Sequence, residues 1–233
     1  MITGDGYKRY NIWEHSTTVR DLYTRRCSMQ AEEMTCHAQA VNLLQPHLRA
    51  RDTLLDAGCG SGYFYHSLRS RGLGVEYHGI DASPSLIEIG RRTLPAFGLD
   101  PERLRVMRID ELDGIAEHVV CINVLSNIDN YHRALERLLQ VSQRTLVLRE
   151  SLADVGRYAY VTDRFLDQGA DLKVHVNTYP LREVVEFVRS YGFSVDVVTD
   201  ERSGDGPEMV IGYPHYWKFL VCTRQSTQRA SKE

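Results

Sequence analysis

The sequence predicts an α/β fold: a doubly wound sheet of seven strands, mostly parallel with an antiparallel edge strand, preceded by an N-terminal helical cap. Two observations predict this fold. Short apolar segments alternate with amphipathic helical segments from residue 53 to residue 192, and two alternating segments, 193–197 and 217–221, then follow with only a loop between them. Strand–helix alternation implies parallel strands with helices on both faces, whereas a loop between consecutive strands permits an antiparallel pair.

Composition and charge make several other classes of protein poor fits. Of 233 residues, 42% are hydrophobic and 25% are charged, which suits one globular domain with a small appendage. No apolar run approaches the ~18 residues of a membrane span, and the first ten residues lack the apolar segment of a signal peptide. The net charge of −3 disfavours a dedicated binder of nucleic acid or of membrane surfaces. We expect neither partner.

The five cysteines are scattered along the chain, and none forms a CxxC pair. An odd number at irregular spacing is typical of reduced thiols and not of a disulfide or zinc framework. We therefore expect a cytoplasmic protein without a metal site.

The first 50 residues are predicted to form the helical cap. Residues 7–13 are rich in aromatic side chains and are expected to form a flap ahead of two helices. Apolar residues at helical spacing indicate those helices, of which the second ends near Pro46. The two sets are Val19, Leu22 and Tyr23, and then Met34, Ala38, Val41 and Leu44.

Residues 51–224 are predicted to form the sheet domain. Ser83 and Pro84 mark the start of a helix as N-cap and first helical residue, and Gly192 marks the end of another. The strands are expected at residues 53–57, 75–80, 104–109, 118–124, 145–148, 193–197 and 217–221. The polar tail, 225–233, is expected to be disordered.

A long segment, 151–179, interrupts the sheet domain after its fifth strand and is predicted to be a lid-like insert. Loops longer than about 12–15 residues are uncommon and often functional. Tyr158, Val161 and Phe165 have helical spacing, so we expect the insert to contain a helix.

Three glycines, Gly58, Gly60 and Gly62, lie between the first strand and the helix after it. Glycines permit a tight turn and close approach of a ligand, and the free N–H groups of the helix N-terminus favour an anion. Asp81 ends the next strand, where a carboxylate can accept hydrogen bonds from both hydroxyls of a ribose. The ligand is thus expected to be a nucleoside with a polar extension. A dinucleotide is disfavoured because Tyr63 stands at the third glycine position of its motif.

Four segments resemble the motifs of class I S-adenosylmethionine (SAM)-dependent methyltransferases. Residues 54–62 (LLDAGCGSG) resemble the first motif and residues 79–83 (GIDAS) the second. Asp110 and Glu111 fall where that family places an acid or amide, and residues 121–125 resemble its fourth-strand motif. The resemblance covers residues 52 to about 223 and implies a Rossmann-like fold and SAM as the cofactor.

The resemblance also implies roles for single residues. Asp56 would orient the methionine ammonium, Asp81 would bind the ribose hydroxyls, and Asn123 would contact the methionine end near the transferred methyl. The loop residues that would line the methionine moiety are Gly58, Cys59, Gly60 and Gly62. The residues that would lie beside the adenine are Ala82, Asp110 and Glu111. Asp110 also fits a turn former, and Cys59 also fits a small loop filler.

The segment after Asn123 bears on the acceptor. It continues as Val124-Leu125 and lacks both the Pro-Pro-aromatic pattern of amino-methylating DNA enzymes and the Pro-Cys pair of cytosine C5 enzymes. It is more similar to the Leu-His-His-Ile-x-Asp stretch of small-molecule methyltransferases, but Ser126 and Asn127 replace the histidines, which excludes a histidine base at that point. A small-molecule acceptor is therefore predicted. An RNA or protein methyltransferase and a non-catalytic SAM-binding protein stay open, as does the choice between monomer and homodimer.

Candidate acceptor residues come from the flap, the insert and the loop 203–215. The candidate catalytic groups are Tyr10 of the flap, His175 of the insert and Glu150, which ends the fifth strand on the ligand side of the sheet. Glu150 could instead form an ion pair with Arg149 or Arg182, and His175 could be a surface histidine of a strand. The other candidates are Tyr7, Trp13, His15, Tyr158, Tyr160, Arg164, Asn177, Glu208, Tyr213 and His215. Any of the aromatic residues could instead cover the edge of the sheet.

Overall fold

The computed structural model describes residues 6–225 and has the predicted α/β architecture. Its helices are α1 (Gly6–Tyr10), α2 (Ile12–His15), α3 (Thr17–Cys27), α4 (Thr35–Leu44), α5 (Phe64–Ser70), α6 (Pro84–Thr93), α7 (Tyr131–Val141) and α8 (Leu181–Ser190). Its strands are β1 (Thr53–Ala57), β2 (Glu76–Asp81), β3 (Leu104–Val106), β4 (Ala116–Ile122), β5 (Ser142–Ala153), β6 (Tyr160–Thr162), β7 (Lys173–His175), β8 (Tyr179–Pro180), β9 (Phe193–Thr199), β10 (Glu208–Val210), β11 (Tyr213–His215) and β12 (Trp217–Arg224).

The main sheet has the strand order β3-β2-β1-β4-β5-β12-β9, and the short strand β8 pairs with the end of β5. The first five strands are parallel, and β12 is antiparallel to both of its neighbours. The doubly wound seven-stranded sheet is thereby confirmed. The strand order reverses between β1 and β4, and ligands of such sheets bind beyond the carboxyl ends of the strands at this point.

Each face of the sheet is covered by amphipathic helices. On one face α7 and α8 bury Leu135, Leu138 and Val188 against β4 and β5. On the other face α4, α5 and α6 pack against strand residues such as Leu54 and Phe219. The second predicted cap helix, α4, therefore shares one core with the sheet domain. The predicted helix start at residues 83–84 is also present, because the Ser83 hydroxyl accepts a hydrogen bond from the N–H of Leu86.

The insert differs from its prediction. No helix lies between residues 151 and 179, all of which the structure describes; β6 and β7 form an antiparallel pair in which Val161 lies opposite Val174. Residues 163–167 turn because the Asp163 carboxylate accepts hydrogen bonds from the backbone N–H groups of 165–167. Val174 packs in a small core with Ile12 of α2, so tertiary burial overrides the helical spacing.

Two further predictions need comment. The long segment before β12, which the sequence predicts as a loop, contains the hairpin of β10 and β11. The predicted disordered tail lies outside the described residues except for Gln225, and so does the first part of the predicted cap, residues 1–5.

Two carboxylates fasten the N-terminal helices to the rest of the fold. Glu14 accepts hydrogen bonds from the hydroxyls of Ser83 and Ser85, at 2.5 and 3.1 Å. Asp167 of the insert accepts from the Ser16 hydroxyl and from groups of residues 17–18 at the start of α3. Helices α2 and α3 are thus held over the carboxyl ends of β1 and β2.

Within residues 6–225, no helix combines the length and the apolar character that crossing a bilayer requires. All five cysteines are buried and free. No group of three or more His, Cys, Asp or Glu side chains in the described part of the chain could hold a metal ion.

Candidate active site

A cavity of about 980 Å³ lies beyond the carboxyl ends of β1, β2, β4 and β5, where the strand order reverses. Its floor includes Asp56, Asp81 and Asn123. Residues of α2, α3, α4, β7 and the β10–β11 hairpin line it from above, and we call these elements the roof. The cavity lies where the topology predicts a ligand site.

The glycine loop has a left-handed backbone at all three glycines, and at two of them an added Cβ would collide most severely with a neighbouring side chain. Gly58 has φ +79°, and a Cβ there would lie 2.3 Å from Val124; Gly60 has φ +57°, and a Cβ there would lie 2.2 Å from the Tyr23 ring. Gly58 and Cys59 line the cavity. Gly60 and Gly62 do not line it, and Gly62 instead packs against Leu104. The loop presents backbone to the cavity at its first half only.

Asp81 is held by the loop that it faces. One carboxylate oxygen accepts from the N–H of Gly60 and the other from the N–H of Ser83, each at 2.8 Å. Burial raises the pKa of this carboxyl, although the two backbone hydrogen bonds oppose the shift. A carboxylate has about four acceptor positions, so two are left for a ligand in the cavity.

Asp56 is buried and hydrogen-bonded to the hydroxyl of Tyr77 at 2.7 Å. Burial is the main cause that raises its pKa to about 7; the charge of Asp81 also acts upward, and the Tyr77 hydrogen bond acts downward. Because a positive charge in the cavity would favour the ionised form, the site fits an ammonium group.

The predicted adenine contacts separate into two groups. Ala82 and Asp110 line the cavity together with Met107. The Asp110 carboxylate also accepts a hydrogen bond from Nε of Arg108 at 2.9 Å. Glu111 is exposed and does not line the cavity, so the structure gives it no contact there.

An aromatic cluster above the glycine loop was not singled out from the sequence. The ring of Tyr63 packs edge-on against Tyr23 at 5.4 Å and stacks on His37 at 4.8 Å. Arg26 donates to the Tyr63 hydroxyl at 3.1 Å, and no carboxylate of residues 6–225 forms an ion pair with it. Burial, assisted by the charge of Arg26, lowers the pKa of His37 to about 3. The Arg26 guanidinium is available to a ligand carboxylate.

At the ends of β4 and β5, Asn123 faces a buried ion pair. Its backbone is left-handed, with φ +59°, and its side-chain oxygen accepts from Arg149 at 2.5 Å. Arg149 also donates to Asp200 at 2.6 Å and lies 4.4 Å from the centre of the Trp217 ring. Burial raises the pKa of Asp200, but the hydrogen bond and charge of Arg149 outweigh it, and the net shift is downward.

Glu150 has neither of the roles that the sequence left open. Its carboxylate accepts hydrogen bonds from the backbone N–H groups of residues 124–126 and from the Ser126 hydroxyl, at 2.7–3.0 Å. It forms no ion pair with Arg149 or Arg182 and does not line the cavity. Burial raises its pKa to about 7. Glu150 is therefore not placed to act as a base, contrary to the prediction, and instead fixes the turn after β4.

Of the other two candidate catalytic residues, His175 lies at the roof and Tyr10 does not. His175 is half-buried, lines the cavity and stacks on Tyr160 at 4.4 Å. Burial lowers the pKa of His175. Tyr10 does not line the cavity; its ring lies 4.7 Å from the ammonium of Lys173 and helps to position that strand.

The loop candidates Glu208 and His215 are brought together, because they are opposite each other in the β10–β11 hairpin and both line the cavity. Glu208 also forms an ion pair with Arg202 at 2.8 Å. Trp13 and Tyr160 line the cavity as well. Five other candidates do not: His15, Tyr158, Arg164, Asn177 and Tyr213. Tyr7 has no described side chain.

Four residues that line the cavity were not predicted as site residues from the sequence: Tyr23, Arg26, His37 and Trp217. Arg149 was considered only as an ion-pair partner of Glu150. They lie on α3, α4, β5 and β12, far apart in the chain. One signal was present: Trp217 and Phe219 alternate on β12, so their shared face was predictable, although its direction was not.

Comparisons with known proteins agree with this geometry. A family model described as a methyltransferase domain matches residues 29–198. Ribosomal RNA small subunit methyltransferase C of Pseudomonas aeruginosa (strain LESB58) is 31% identical over 134 residues, which are 57% of this chain and 38% of that protein. The match thus spans well under half of this curated relative.

Two solved structures illustrate the likeness of fold. Magnesium protoporphyrin IX methyltransferase from Synechocystis PCC 6803 with bound SAM has a TM-score of 0.55 and 15% identity, with 95% of this chain and 92% of that chain covered. A SAM-dependent methyltransferase from Clostridium acetobutylicum ATCC 824 has a TM-score of 0.61 and 13% identity, with 88% and 97% covered. At such low sequence identities, the similarity to these two structures shows a shared fold and nothing more.

Proposed function

The chain belongs to the methyltransferase-domain family, of the class I SAM-dependent type, and from this premise we propose that it methylates a small molecule inside the roofed cavity. The observation that carries the proposal is the cavity itself. Pockets for small ligands measure about 300–1,000 Å³, and this one, at about 980 Å³, stands at the upper end. It has room for a cofactor and for a second small molecule beside it.

The residues present fit SAM along the whole floor. Asp81 would bind the ribose hydroxyls with its two free acceptor positions, and Ala82 and Asp110 would lie beside the adenine. Asp56 would bind the methionine ammonium, and Gly58 and Cys59 would present backbone to the methionine chain. Arg26, which no acid of the described chain neutralises, would bind the methionine carboxylate. Bound SAM supplies an activated methyl group on its sulfonium.

The chain's own contribution is alignment and exclusion of water. Holding acceptor and methyl donor in one geometry converts a bimolecular reaction into an effectively unimolecular one. Asn123, fixed by Arg149, would mark the methyl-transfer end of the cavity. The roof covers this end, so the charges there act in a medium of low polarity.

Binding of S-adenosylhomocysteine, measured by titration calorimetry, tests the cofactor part of the proposal. We expect Asp81→Ala to weaken binding at least tenfold, because a carboxylate hydrogen-bonded to a ligand contributes about 1.5–3 kcal/mol. The matched control is Asp113→Ala, which removes an exposed acid outside the cavity lining and should leave binding unchanged. Lack of binding to the unaltered protein at millimolar ligand would contradict the proposal.

Transfer of a labelled methyl group to a panel of small molecules tests the acceptor part. Incorporation into a small molecule supports it. Cofactor binding without transfer to any acceptor favours a non-catalytic SAM-binding protein instead.

A second candidate is methylation of RNA, which the relationship to a ribosomal RNA methyltransferase favours. The roofed cavity and the net charge of −3 weigh against it, because RNA binding rests largely on exposed basic groups. Methyl incorporation into ribosomal RNA, together with RNA binding that weakens as salt increases, would establish this alternative.

We further propose that the protein works in the cytoplasm as a monomer or a homodimer. The five free, buried cysteines support a reducing compartment. Fractionation of cells and light scattering of the purified protein test these two statements.

A further inference from the structure

His215 is set up to accept a proton inside the cavity. It is 2% exposed and lines the cavity at the end of β11. Its Nδ1 lies 3.1 Å from the carbonyl oxygen of Tyr213, and a carbonyl only accepts, so Nδ1 carries the hydrogen. Nε2 therefore holds the lone pair, and within residues 6–225 it forms no hydrogen bond.

The two other histidines that line the cavity lack this arrangement. His37 lies in the first turn of α4, where the helix dipole and the nearby Arg26 both oppose a positive charge on the ring. His175 is half-buried at the roof, and neither of its ring nitrogens has a hydrogen-bond partner in the described chain that would fix the tautomer. His215 is the best oriented of the three.

The charges around His215 suit a neutral ring that becomes protonated during a reaction. Burial lowers its pKa, as do the charges of Arg149 and Arg157, so the ring is neutral near pH 7. The hydrogen bond to Tyr213 and the charge of Glu208 have the opposite effect. Glu208 lies directly across the hairpin and would stabilise the imidazolium once it forms.

Trp217 provides a second and independent observation. Its side chain is 3% exposed, it lines the same cavity, and its indole Nε1 is buried without a hydrogen-bond partner. An unsatisfied buried donor costs about 1–3 kcal/mol, so such groups are rare unless a ligand or water satisfies them. The indole ring stacks on His215, with the ring centres 4.8 Å apart and the planes within 17°. The two rings therefore lie face to face in the wall of one part of the cavity.

We propose that His215 is the general base of the methyl transfer, that the Trp217 N–H donates to the acceptor atom, and that this atom is the oxygen of a hydroxyl group. The inference rests on the proposed function. A hydroxyl donates one hydrogen bond, here to Nε2, and has two lone pairs, of which one accepts from the indole and the other attacks. A neutral amine has a single lone pair, which the indole N–H would occupy.

The proposed transfer breaks two bonds and forms two. The acceptor O–H bond breaks as its proton bonds to Nε2 of His215, and the oxygen lone pair forms a bond to the methyl carbon. The carbon–sulfur bond of the sulfonium breaks, and its electron pair goes to sulfur. The products are a methyl ether or ester, S-adenosylhomocysteine and the imidazolium of His215, whose proton then passes to solvent.

The tautomer of His215 can be tested without any acceptor. In protein labelled with ¹⁵N-histidine, the resonances absent from His215→Gln identify this residue. We expect the Nδ1–H tautomer at pH 7 and a midpoint of titration below the ordinary value for histidine. A protonated ring at pH 7, or the Nε2–H tautomer, would overturn the proposal.

Ligand binding tests the hydroxyl. Equilibrium dialysis of phenol against anisole, on protein saturated with S-adenosylhomocysteine, compares a hydroxyl with its methyl ether. We expect phenol to bind roughly tenfold more tightly and Trp217→Phe to abolish most of that preference, because the ring is kept and only the donor is lost. His47→Gln, at the other end of the sheet, is the control and should leave the preference intact. Equal binding of both probes, or an unaltered preference in Trp217→Phe, would argue against the subsite.

The pH dependence of methyl transfer to a hydroxyl acceptor completes the test. Loss of a general base costs about 10²–10⁴ in rate, and His215→Gln should also remove the acidic limb of the pH profile. If His175→Gln removes that limb and His215→Gln does not, the base is His175 and the proposal is wrong. If the protein binds S-adenosylhomocysteine normally and methylates only amines, this inference fails while the proposed function stands.

Discussion

The two ends of the cavity are built in different ways. At the end where we propose that the cofactor binds, the floor residues Asp56 to Ala82 come from one short stretch of chain, and backbone groups hold Asp81, while Arg26 reaches this end from α3. At the end where we propose that the acceptor binds, side chains hold one another: Arg149, Trp217 and His215 come from β5, β12 and β11. A site made of backbone tolerates few changes of sequence, whereas a site made of side chains can change its ligand by substitution.

The largest effect is expected at the acceptor end, from Arg149→Met. The variant leaves Asp200, 1% exposed, with a buried charge that has lost its ion-pair partner. Removing one member of a buried pair costs about 3–5 kcal/mol, so we expect the free energy of unfolding in urea to fall by this amount. The double variant Arg149→Met, Asp200→Leu should lose less than the single variant. If the double variant loses more stability than the single variant, the side chains at this end do not hold one another as a buried ion pair, and the contrast between the two ends fails.

At the cofactor end, Gly60→Ala should act through the backbone. The new Cβ would overlap the Tyr23 ring at 2.2 Å and would occupy a left-handed conformation, so we expect a loss of about 2–3 kcal/mol and weaker cofactor binding. Gly72→Ala is the matched control, because Gly72 has φ +68° but no atom within 4 Å of the added Cβ. It should show the backbone cost alone, about 1–2 kcal/mol. Equal losses in both variants would show that Tyr23 yields without cost.

Asp56 gives the cofactor end a pH dependence. Its folded pKa, about 7, lies above the ordinary value of 3.8, so the folded state binds more protons between these values and stability falls as pH rises from about 4 to 7. We expect Asp56→Asn to make this fall shallower by roughly 1–3 kcal/mol in urea titrations at pH 4.5 and 8. Asp113→Asn should not alter it. Identical pH profiles of Asp56→Asn and the unaltered protein would show that Asp56 is ionised in the folded state.

A larger share of the predicted cofactor residues than of the predicted acceptor residues lines the cavity, and the difference has a physical basis. The order of strands and the residues of the glycine loop follow from local patterns, because turn geometry and strand-end acids depend on neighbours in the chain. The stack of Arg149 and Trp217 depends on the register between β5 and β12, in which Trp217 lies opposite Ser151. No local pattern fixes that register. The helix that the spacing of Tyr158, Val161 and Phe165 predicts within the insert does not form, because Val174 is buried against Ile12 of α2, which is likewise a contact between distant segments.

The smallest effect is expected where the roof joins the two ends. The Asp167 carboxylate accepts from the Ser16 hydroxyl and from the Thr18 N–H at the start of α3. Burial raises the pKa of Asp167, but these hydrogen bonds outweigh it and lower the net value. A carboxyl group whose pKa is lower in the folded state stabilises the fold at pH values above its unfolded pKa of about 4. The stabilising contribution of Asp167 should therefore disappear as the pH falls below that value.

Asp167→Asn should therefore cost about 0.5–1 kcal/mol at pH 7 and close to nothing at pH 3, in urea titrations at both values. Asp171→Asn, an exposed acid of the same insert, is the matched control. The effect is small because the Thr17 and Thr18 hydroxyls are exposed and Asp167 is only partly buried, so water competes for most of these hydrogen bonds. A loss above about 2 kcal/mol at pH 7 would mean that the roof contributes to global stability as the floor does, and that the cavity is one cooperative unit and not two ends built on separate principles.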